Sequence, residues 1–541
     1  MLVYWRFAQL HAPVQRVSLM KNFSTPWRKL SAAALAYGNR LVAALTDIRS
    51  RERSARWLLL AYLAVWTLYA MIEKSSQDIH FDMAEVVAWS RELAAGGPKH
   101  PPLSAWVAAL WFAIFPYEDW AYYLLSIASA TLALWIAWRF SRRWLDPDKR
   151  VAGLALLTLV PFFNFLAIKY NANSVLVPFW ALTTYCFLLS YSTRSLWFAA
   201  LAGAGAGACM LGKYWSIFLI AGLGIAALAD ARRSAYFRSL APWVTIAIGA
   251  LVIAPHVVWL FNNNFSSFAH PLRNHGGHPL WYSAEKNLLY ALGFAAYIVV
   301  PLLFVSLAAR PTTGAVKDFF WPKGADDRLA ALAFWLPIAL PIPIALLLHA
   351  ELTPIWTMPA VSLLPVVLLS SNRIVLTRNA VAAIVVFAVI FPIAALILSP
   401  GIAIANHLRG INDHGDQYRL LAQEVERDWR KLTDQPLRLI GTSSALVNGA
   451  AFYLPGRPST MDILEPERTP WADEARIKRE GVAIFCRVKH RGCMDWLEAI
   501  ASEVPESHRI EVTVAARYLG MQGEPTDYAL LLIAPELYHP H

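Results

Sequence analysis

The chain has 541 residues, 57% of them hydrophobic and 16% charged, where a soluble domain carries about 25% charged residues. A mean hydropathy of +0.42 over that length excludes a disordered chain, a disulfide-dense secreted scaffold and a multidomain soluble enzyme, and points to a polytopic membrane protein. The net charge of +11 is lopsided: residues 1–56 hold ten Lys or Arg against two Asp or Glu. That is the basic flank of a first span with a cytoplasmic N-terminus, and a nucleic-acid partner is not expected.

In chain order, a basic cytoplasmic segment over residues 1–56 precedes a first span at about 57–72, with no short apolar h-region before it to suggest a removable signal peptide. A polar first loop, 73–101, comes next. The apolar stretch 102–138 follows, interrupted at Pro116-Tyr117-Glu118-Asp119. Further spans read at about 150–168, 174–191, 195–211, 214–230, 240–261, 286–308, 328–348, 353–371 and 378–399, each near the ~20 apolar residues that a ~30 Å hydrocarbon core requires. The basic connections Arg139–Arg150, Arg232–Arg238 and Arg373–Arg378 belong to the cytoplasmic side. The first loop, Lys169–Asn173, Asn262–Glu285, His349–Thr353 and the tail then share the outer side. This sidedness holds only if the short segment 102–116 is not a full crossing, and it gives an odd total of 11 to 13 spans. From 401 to 541 the composition becomes that of a soluble domain. An amphipathic helix over 413–433 and strands at Leu437–Ile440, Val482–Cys486, Ile510–Val514 and Tyr528–Ile533 predict a C-terminal α/β domain. The expected fold is therefore a polytopic α-helical membrane domain, 57–400, followed by that outer domain. Cys186 and Cys209 lie in spans, whereas Cys486 and Cys493 lie where a bridge can form, and spacing alone leaves that pairing open.

The first loop is the most informative segment. Residues 82–93 suit a short helix along the membrane surface, with Val86, Val87 and Leu93 turned to lipid. Asp82 and Glu85, three apart, share a face. Such a carboxylate pair serves as a base for an incoming nucleophile or as a cation ligand; equally, Asp82 caps the helix with Glu85 as its third-position partner. Lys99 and His100 sit at headgroup level, where they bind phosphate or simply snorkel. Asn171 and Asn173 suit sugar hydroxyls or a helix cap. Lys169 and Lys213 stand at outer span ends against the positive-inside bias, with phosphate the obvious partner. In the loop 262–285, His270, Arg273, His275 and His278 lack the fixed helical spacing of a zinc pair. Glu351 beside His349 is a second-line acid or metal contact.

The pattern Asp82-x-Ala-Glu85-x-x-x-Trp89-Ser-x-x-Leu, then Gly, then Pro101-Pro-Leu-x-x-Trp106, resembles the first-loop signature of polyprenyl-phosphate-sugar-dependent glycosyltransferases of the GT-C type. Within that superfamily, which includes the protein mannosyltransferases and aminoarabinose transferases, it looks most like the lipopolysaccharide galacturonosyltransferases. Lys169-Tyr-Asn171-Ala-Asn173-Ser is similar to the Asn-Ala-Asn segment of that group, and Gly212-Lys213-Tyr214, Pro255-His256 and His349–Trp356 fall where such enzymes also place polar residues. The resemblance implies a GT-C-like fold along nearly the whole chain. It implies transfer of a monosaccharide from a polyprenyl phosphate to an envelope lipid or glycan, on the periplasmic side of a bacterial inner membrane. By the same resemblance Asp82 is the base or acceptor-orienting group and Glu85 assists or holds a divalent metal ion. Lys99 and His100 jointly meet the phosphate, and Lys169, Asn171, Asn173, Lys213, His256 and Glu351 are candidate substrate contacts. Met83 stands where some relatives have a second acidic residue, and His100 where some have lysine. The rival reading is a lipid-linked substrate flippase, for which Pro337, Pro341 and Pro343 leave a broken-helix site open.

Overall fold

The computed structural model describes residues 19–97, 99–268, 275–410 and 417–535. It opens with α1 (Leu19–Thr46), α2 (Arg51–Glu73), α3 (Phe81–Glu92), α4 (Leu103–Phe112), α5 (Asp119–Phe140) and α6 (Pro147–Thr158). Then come α7 (Ala172–Thr193), α8 (Leu196–Gly212), α9 (Ile217–Ala229), α10 (Arg233–Phe237), α11 (Ala241–Asn262) and α12 (Leu280–Ala309). The helical part ends with α13 (Thr313–Phe320), α14 (Ala325–Ala339), α15 (Pro341–Leu347), a 3-10 stretch Pro354–Leu363, α16 (Leu364–Leu369) and α17 (Arg378–Arg409).

Among the described residues, seven helical segments are long and apolar enough to cross a membrane: α2, α5 with the turn after it, α7, α11, α12, α14 with α15, and α17. Shorter apolar helices lie at Leu103–Phe112, Leu196–Gly212, Tyr214–Ala229 and Pro354–Leu369. The first of these, α4, has 10 residues and so reaches only ~15 Å, in line with the expectation that 102–116 is not a full crossing. The expected span 150–168 is instead the 12-residue α6 followed by 3-10 turns at Pro161–Phe163 and Phe165–Ala167, because Pro161 supplies no N–H to continue the helix.

α7 is the central helix, its apolar window 83% buried, and in the Gly203-x-Gly205-x-Gly207 series of α8 Gly205 meets α7 while Gly203 and Gly207 meet α11. A Cβ on Gly203 would stand 2.3 Å from the Thr245 carbonyl oxygen and one on Gly205 2.5 Å from Thr183 Oγ1, so these glycines serve close helix approach. At the basic end, Arg150 is buried; it lies 3.6 Å over the Trp138 ring and 3.1 Å from Glu52, tying α2, α5 and α6 together. The basic N-terminal segment also contains α1, which the sequence did not signal. α1 lies along α17, and Val42 and Leu45 are buried there.

The C-terminal unit holds α18 (Tyr418–Leu432), β1 (Leu439–Thr442), α19 (Ser444–Tyr453), β2 (Ser459–Asp462), α20 (Glu474–Glu480), β3 (Val482–Arg487) and α21 (Arg491–Glu503). Next are β4 (His508–Val514), the hairpin β5 (Arg517–Tyr518) and β6 (Met521–Gln522), and β7 (Thr526–Ile533). The main sheet runs β2-β1-β3-β7-β4, with β1 parallel to β2 and β3 and the other two pairings antiparallel. Alternation along β3 and β7 builds two cores, as a period of two requires. Phe485, Leu530 and Leu532 face α18 and α19 with Leu421, Val425 and Trp429, whereas Ile484, Cys486, Leu531 and Ile533 face α21 with Leu497. Cys486 and Cys493 are joined by a disulfide, their Cα atoms 5.6 Å apart.

Candidate functional site

The site is built on α3. His80 is its N-cap: Nδ1 accepts the Asp82 backbone N–H at 3.1 Å, and Leu93 ends the helix in the left-handed conformation. This corrects the capping alternative, since His80 does the capping and leaves the Asp82 carboxylate for other partners. It also corrects the lipid-facing assignment of Val86 and Val87. Both are buried in protein, and of the three only Leu93 is exposed. The reason is tertiary: α4 packs on one side of α3 and α19 of the C-terminal unit on the other.

Asp82 is met by residues 87 to 89 positions away. Lys169 Nζ lies 3.1 Å from its Oδ2, and the Asn171 side-chain amide donates to the same oxygen at 3.0 Å. Asn171 is at once the N-cap of α7, its Oδ1 accepting the N–H groups of Asn173 and Ser174 in a capping box, so the helix cap holds the amide rigid against the carboxylate. Burial works against the Asp82 charge. Lys169, then His80, Lys99 and the Asn171 amide, outweigh it and hold the carboxyl down at about 2. Glu85 behaves in the opposite sense: burial raises it although Lys99 Nζ donates to its Oε2 at 2.7 Å. The two carboxylates thus have separated protonation behaviour, a pattern that divides acid-base roles.

Both open into one cavity of about 430 Å³. Its polar walls include Asp82, Glu85, Lys99, His100, Asn171, Asn173, Lys213 and Glu351; its apolar walls include Trp215, Phe218, Ile344, Leu348 and Trp356. Eight of the ten candidate site residues therefore meet here, drawn from connections that the sequence assigned to one side of the membrane. Lys213 donates to Asn173 Oδ1 at 2.9 Å and lies 4.7 Å over the Trp356 ring. It is partly open to the cavity but otherwise enclosed by protein. Burial lowers its ammonium to about 7, with Lys99 acting in the same sense and Asp82 opposing. Opposite stands Glu351, with His275 Nδ1 at 2.8 Å from one carboxylate oxygen and the Tyr282 hydroxyl donating to the other at 3.0 Å. These two partners hold its pKa below the usual value against burial.

Two candidates are placed elsewhere. Lys169 stands behind Asp82 as its ion-pair partner. His256 is buried outside the cavity, with Nδ1 at 2.7 Å from the Ala95 carbonyl and Nε2 at 2.8 Å from the Tyr214 hydroxyl. Its role is to pin the loop after α3. Gly96 in that loop packs so closely on Trp259 that a Cβ would come within 2.2 Å of the indole. Sequence reasoning missed Tyr282 and the cation-π seat of Trp356, and it missed Arg468 of the C-terminal unit, whose positive field reaches Glu85. Only Trp356 carried a signal, as an aromatic at the end of a polar outer segment. Of the histidine-rich loop 262–285, in which the sequence argues against a zinc pair, His270 and Arg273 lie outside the described residues. Among the described residues no group of three or more His, Cys, Asp or Glu is placed to hold a metal ion. Asp82 and Glu85 are each already balanced by a lysine, which is a poor donor set for a divalent cation.

Residues 99–259 match the family described as dolichyl-phosphate-mannose-protein mannosyltransferase. The chain is 29% identical over 220 residues to the lipopolysaccharide core galacturonosyltransferase RgtB of Rhizobium johnstonii, a stretch covering 40% of this chain and 44% of that protein. It is 23% identical over 394 residues to the lipid A galacturonosyltransferase RgtD of the same organism, covering 70% and 79% respectively. In three dimensions it is similar to the crystal structure of ArnT from Cupriavidus metallidurans bound to undecaprenyl phosphate, with a TM-score of 0.58 and 14% identity over 90% of this chain and 99% of that one. The apo form of the same protein gives 0.54. The chain thus has the GT-C fold of ArnT and carries the sequence signals of glycosyltransferases, as the first-loop motif led one to expect.

Proposed function

We propose that this protein is a membrane glycosyltransferase that moves a monosaccharide from a polyprenyl phosphate to a glycolipid or glycan of the cell envelope, on the periplasmic face of a bacterial inner membrane. One observation carries the reading. An ionised carboxylate, Asp82, shares a cavity with Lys99, Lys213 and His100, and that cavity is apolar toward Phe218, Ile344 and Leu348. A lipid phosphate needs cations at its head and an apolar path for its tail, and both are present at one mouth.

The chemistry follows from this arrangement. The donor phosphate sits against Lys213 and Lys99, with His100 beside them. Asp82 orients the acceptor hydroxyl and takes its proton as the oxygen attacks the anomeric carbon. The bond from that carbon to the phosphate oxygen breaks, and polyprenyl phosphate leaves with the electron pair. Cations fixed at the departing phosphate favour the transition state over the bound donor, the usual source of electrostatic rate enhancement. Glu85, bound to Lys99, sets that lysine's position. Asn173 and the Glu351–His275 pair are the sugar-facing polar groups.

The names of the two Rhizobium relatives support a galacturonosyl donor. The Cys486–Cys493 bridge supports an oxidising outer compartment. The test is transfer by the purified protein from polyprenyl phosphate-galacturonic acid, -mannose and -aminoarabinose to envelope lipid, with Asp82→Asn alongside. Transfer that falls at least ~100-fold in the folded variant, a loss typical of a missing base, supports the reading. Undiminished transfer by Asp82→Asn removes its proposed base. Movement of a lipid-linked sugar across vesicles without transfer points to a flippase instead.

A further inference from the structure

A second cleft of about 330 Å³ lies on the other side of α3, between that helix, the turn before α5 and the loop after α19. Asp82, Glu85 and Val86 line the first cavity and Val87, Ala88 and Arg91 the second. At 100° per residue these are opposite faces of one helix. Two arginines stand in the second cleft, Arg91 from α3 and Arg457 from the Pro455-Gly456-Arg457-Pro458 turn. Neither forms an ion pair with a carboxylate among the described residues. Arg419, Arg427, Arg430, Arg468 and Arg476 of the same unit are so paired, whereas the exposed Arg438, Arg491 and Arg517 share the unpaired state among the described residues but do not line this cleft.

Arg457 is displayed rigidly. Its φ is +45°, a conformation that L side chains rarely adopt, and prolines flank the turn. Its guanidinium lies 3.8 Å over the Tyr117 ring, which itself stacks on Phe112 at 4.3 Å. Burial works against the Arg91 charge and Arg476 adds to that effect, while Glu92, Glu480 and Tyr117 offset it. A cleft carrying two arginines that no carboxylate among the described residues pairs suits an anion, since guanidinium forks match carboxylate and phosphate oxygens.

We infer that this cleft binds an anionic group, phosphate monoester or carboxylate, on the acceptor glycan while another sugar of the same molecule reaches Asp82 on the far face of α3. The helix between the two sites is ~10 Å across, so the acceptor is an acidic oligosaccharide headgroup and not a single sugar. Calling the ligand the acceptor rests on the transferase reading; the anion site itself does not.

The experiment measures binding of acyl-free envelope oligosaccharides to the full chain in nanodiscs. Three probes are used: one bearing a phosphate monoester, one bearing only acidic-sugar carboxylates, and one both dephosphorylated and carboxyl-reduced. Wild type should bind at least one acidic probe some ten-fold or more tightly than the neutral one, and whichever acidic probe wins identifies the group. Arg91→Ala with Arg457→Ala should abolish that preference and leave neutral binding unchanged, while Arg457→Lys retains part of it. Unchanged melting temperature and the two single variants guard against misfolding. Equal affinity of wild type for all three probes, or an undiminished preference in the double variant, overturns the site. Charge preference without any transfer activity counts against the transferase reading and leaves the site standing.

Discussion

At the scale of single residues, the site works by opposing burial with fixed partners. Asp82 is ionised because Lys169 and Asn171 reach it from the chain leading into α7. Lys169→Ala removes the larger of these, so the carboxyl should rise from about 2 toward the ~3.9 of a free aspartate. The acid limb of kcat/KM against pH should then move up into the measurable range in Lys169→Ala and stay low in Lys169→Arg. Lys213 gives a prediction of opposite sense. Burial holds its ammonium down at about 7, and a bound phosphate anion favours its charged form. Donor binding therefore takes up a proton above pH 7, and affinity for a polyprenyl phosphate should fall as pH rises from 7 to 9. Lys213→Arg, charged throughout that range, should flatten the dependence. A slope equal to that of wild type would show that Lys213 does not meet the phosphate.

At the scale of elements, α3 is held at both ends by the C-terminal unit. The Tyr453 hydroxyl accepts the Ile79 N–H at 2.9 Å and donates to Asp119 at 3.0 Å, and Arg419 bridges Asp119 and Asp78. At the other end Ser459 Oγ donates to Glu92 at 2.9 Å. Tyr453→Phe leaves the Ile79 N–H unpaired, a loss of about 1–3 kcal/mol for a buried donor. Its expected signature is faster amide exchange over 79–85 and a lower kcat with donor affinity kept; unaltered exchange there would rule the clamp out. Gly96→Ala should act from the other side. Its Cβ collides with Trp259, so the loop carrying Lys99 must shift, and here donor KM should rise while the α3 amides keep their protection.

On the scale of the molecule, the C-terminal unit is a separate hydrophobic core joined to the membrane part through α19 and the Phe452 ring, which stacks on Tyr122 at 6.0 Å. The Cys486–Cys493 bridge closes a short loop within it, with a sequence separation of 7. Loop-closure entropy for so short a ring is about 2.5 kcal/mol. Cys486→Ser with Cys493→Ser should lower the melting temperature of the α/β unit by several degrees, and cleavage protection of the membrane helices should be unaffected.

Much of this architecture was written in local pattern. The apolar runs of α7, α11, α12 and α17, the alternation in β3 and β7 and the 3.6 period of α18 each bury a face or a whole segment, and burial leaves its period in the sequence. β2 was not legible, because Ser459-Thr-Met-Asp462 has no apolar alternation and is a strand only by pairing with β1. α1 was masked by its own basic charge. Within the site, residue types were readable: Asp82, Glu85, Lys99 and Lys213 stood out as charges where an apolar chain turns. Their partnerships were not. Asp82 meets Asn171 across 89 positions, His256 turns inward to Ala95 across 161, and Arg468 approaches from another domain. The sequence by itself determined which polar groups interrupt the apolar segments, since water-to-lipid transfer energies are local to each segment. Which of those groups touch, and which are left without a counter-ion, only the packing of α3 among α4, α7 and α19 decided, because electrostatic pairing depends on distances that chain separation does not encode.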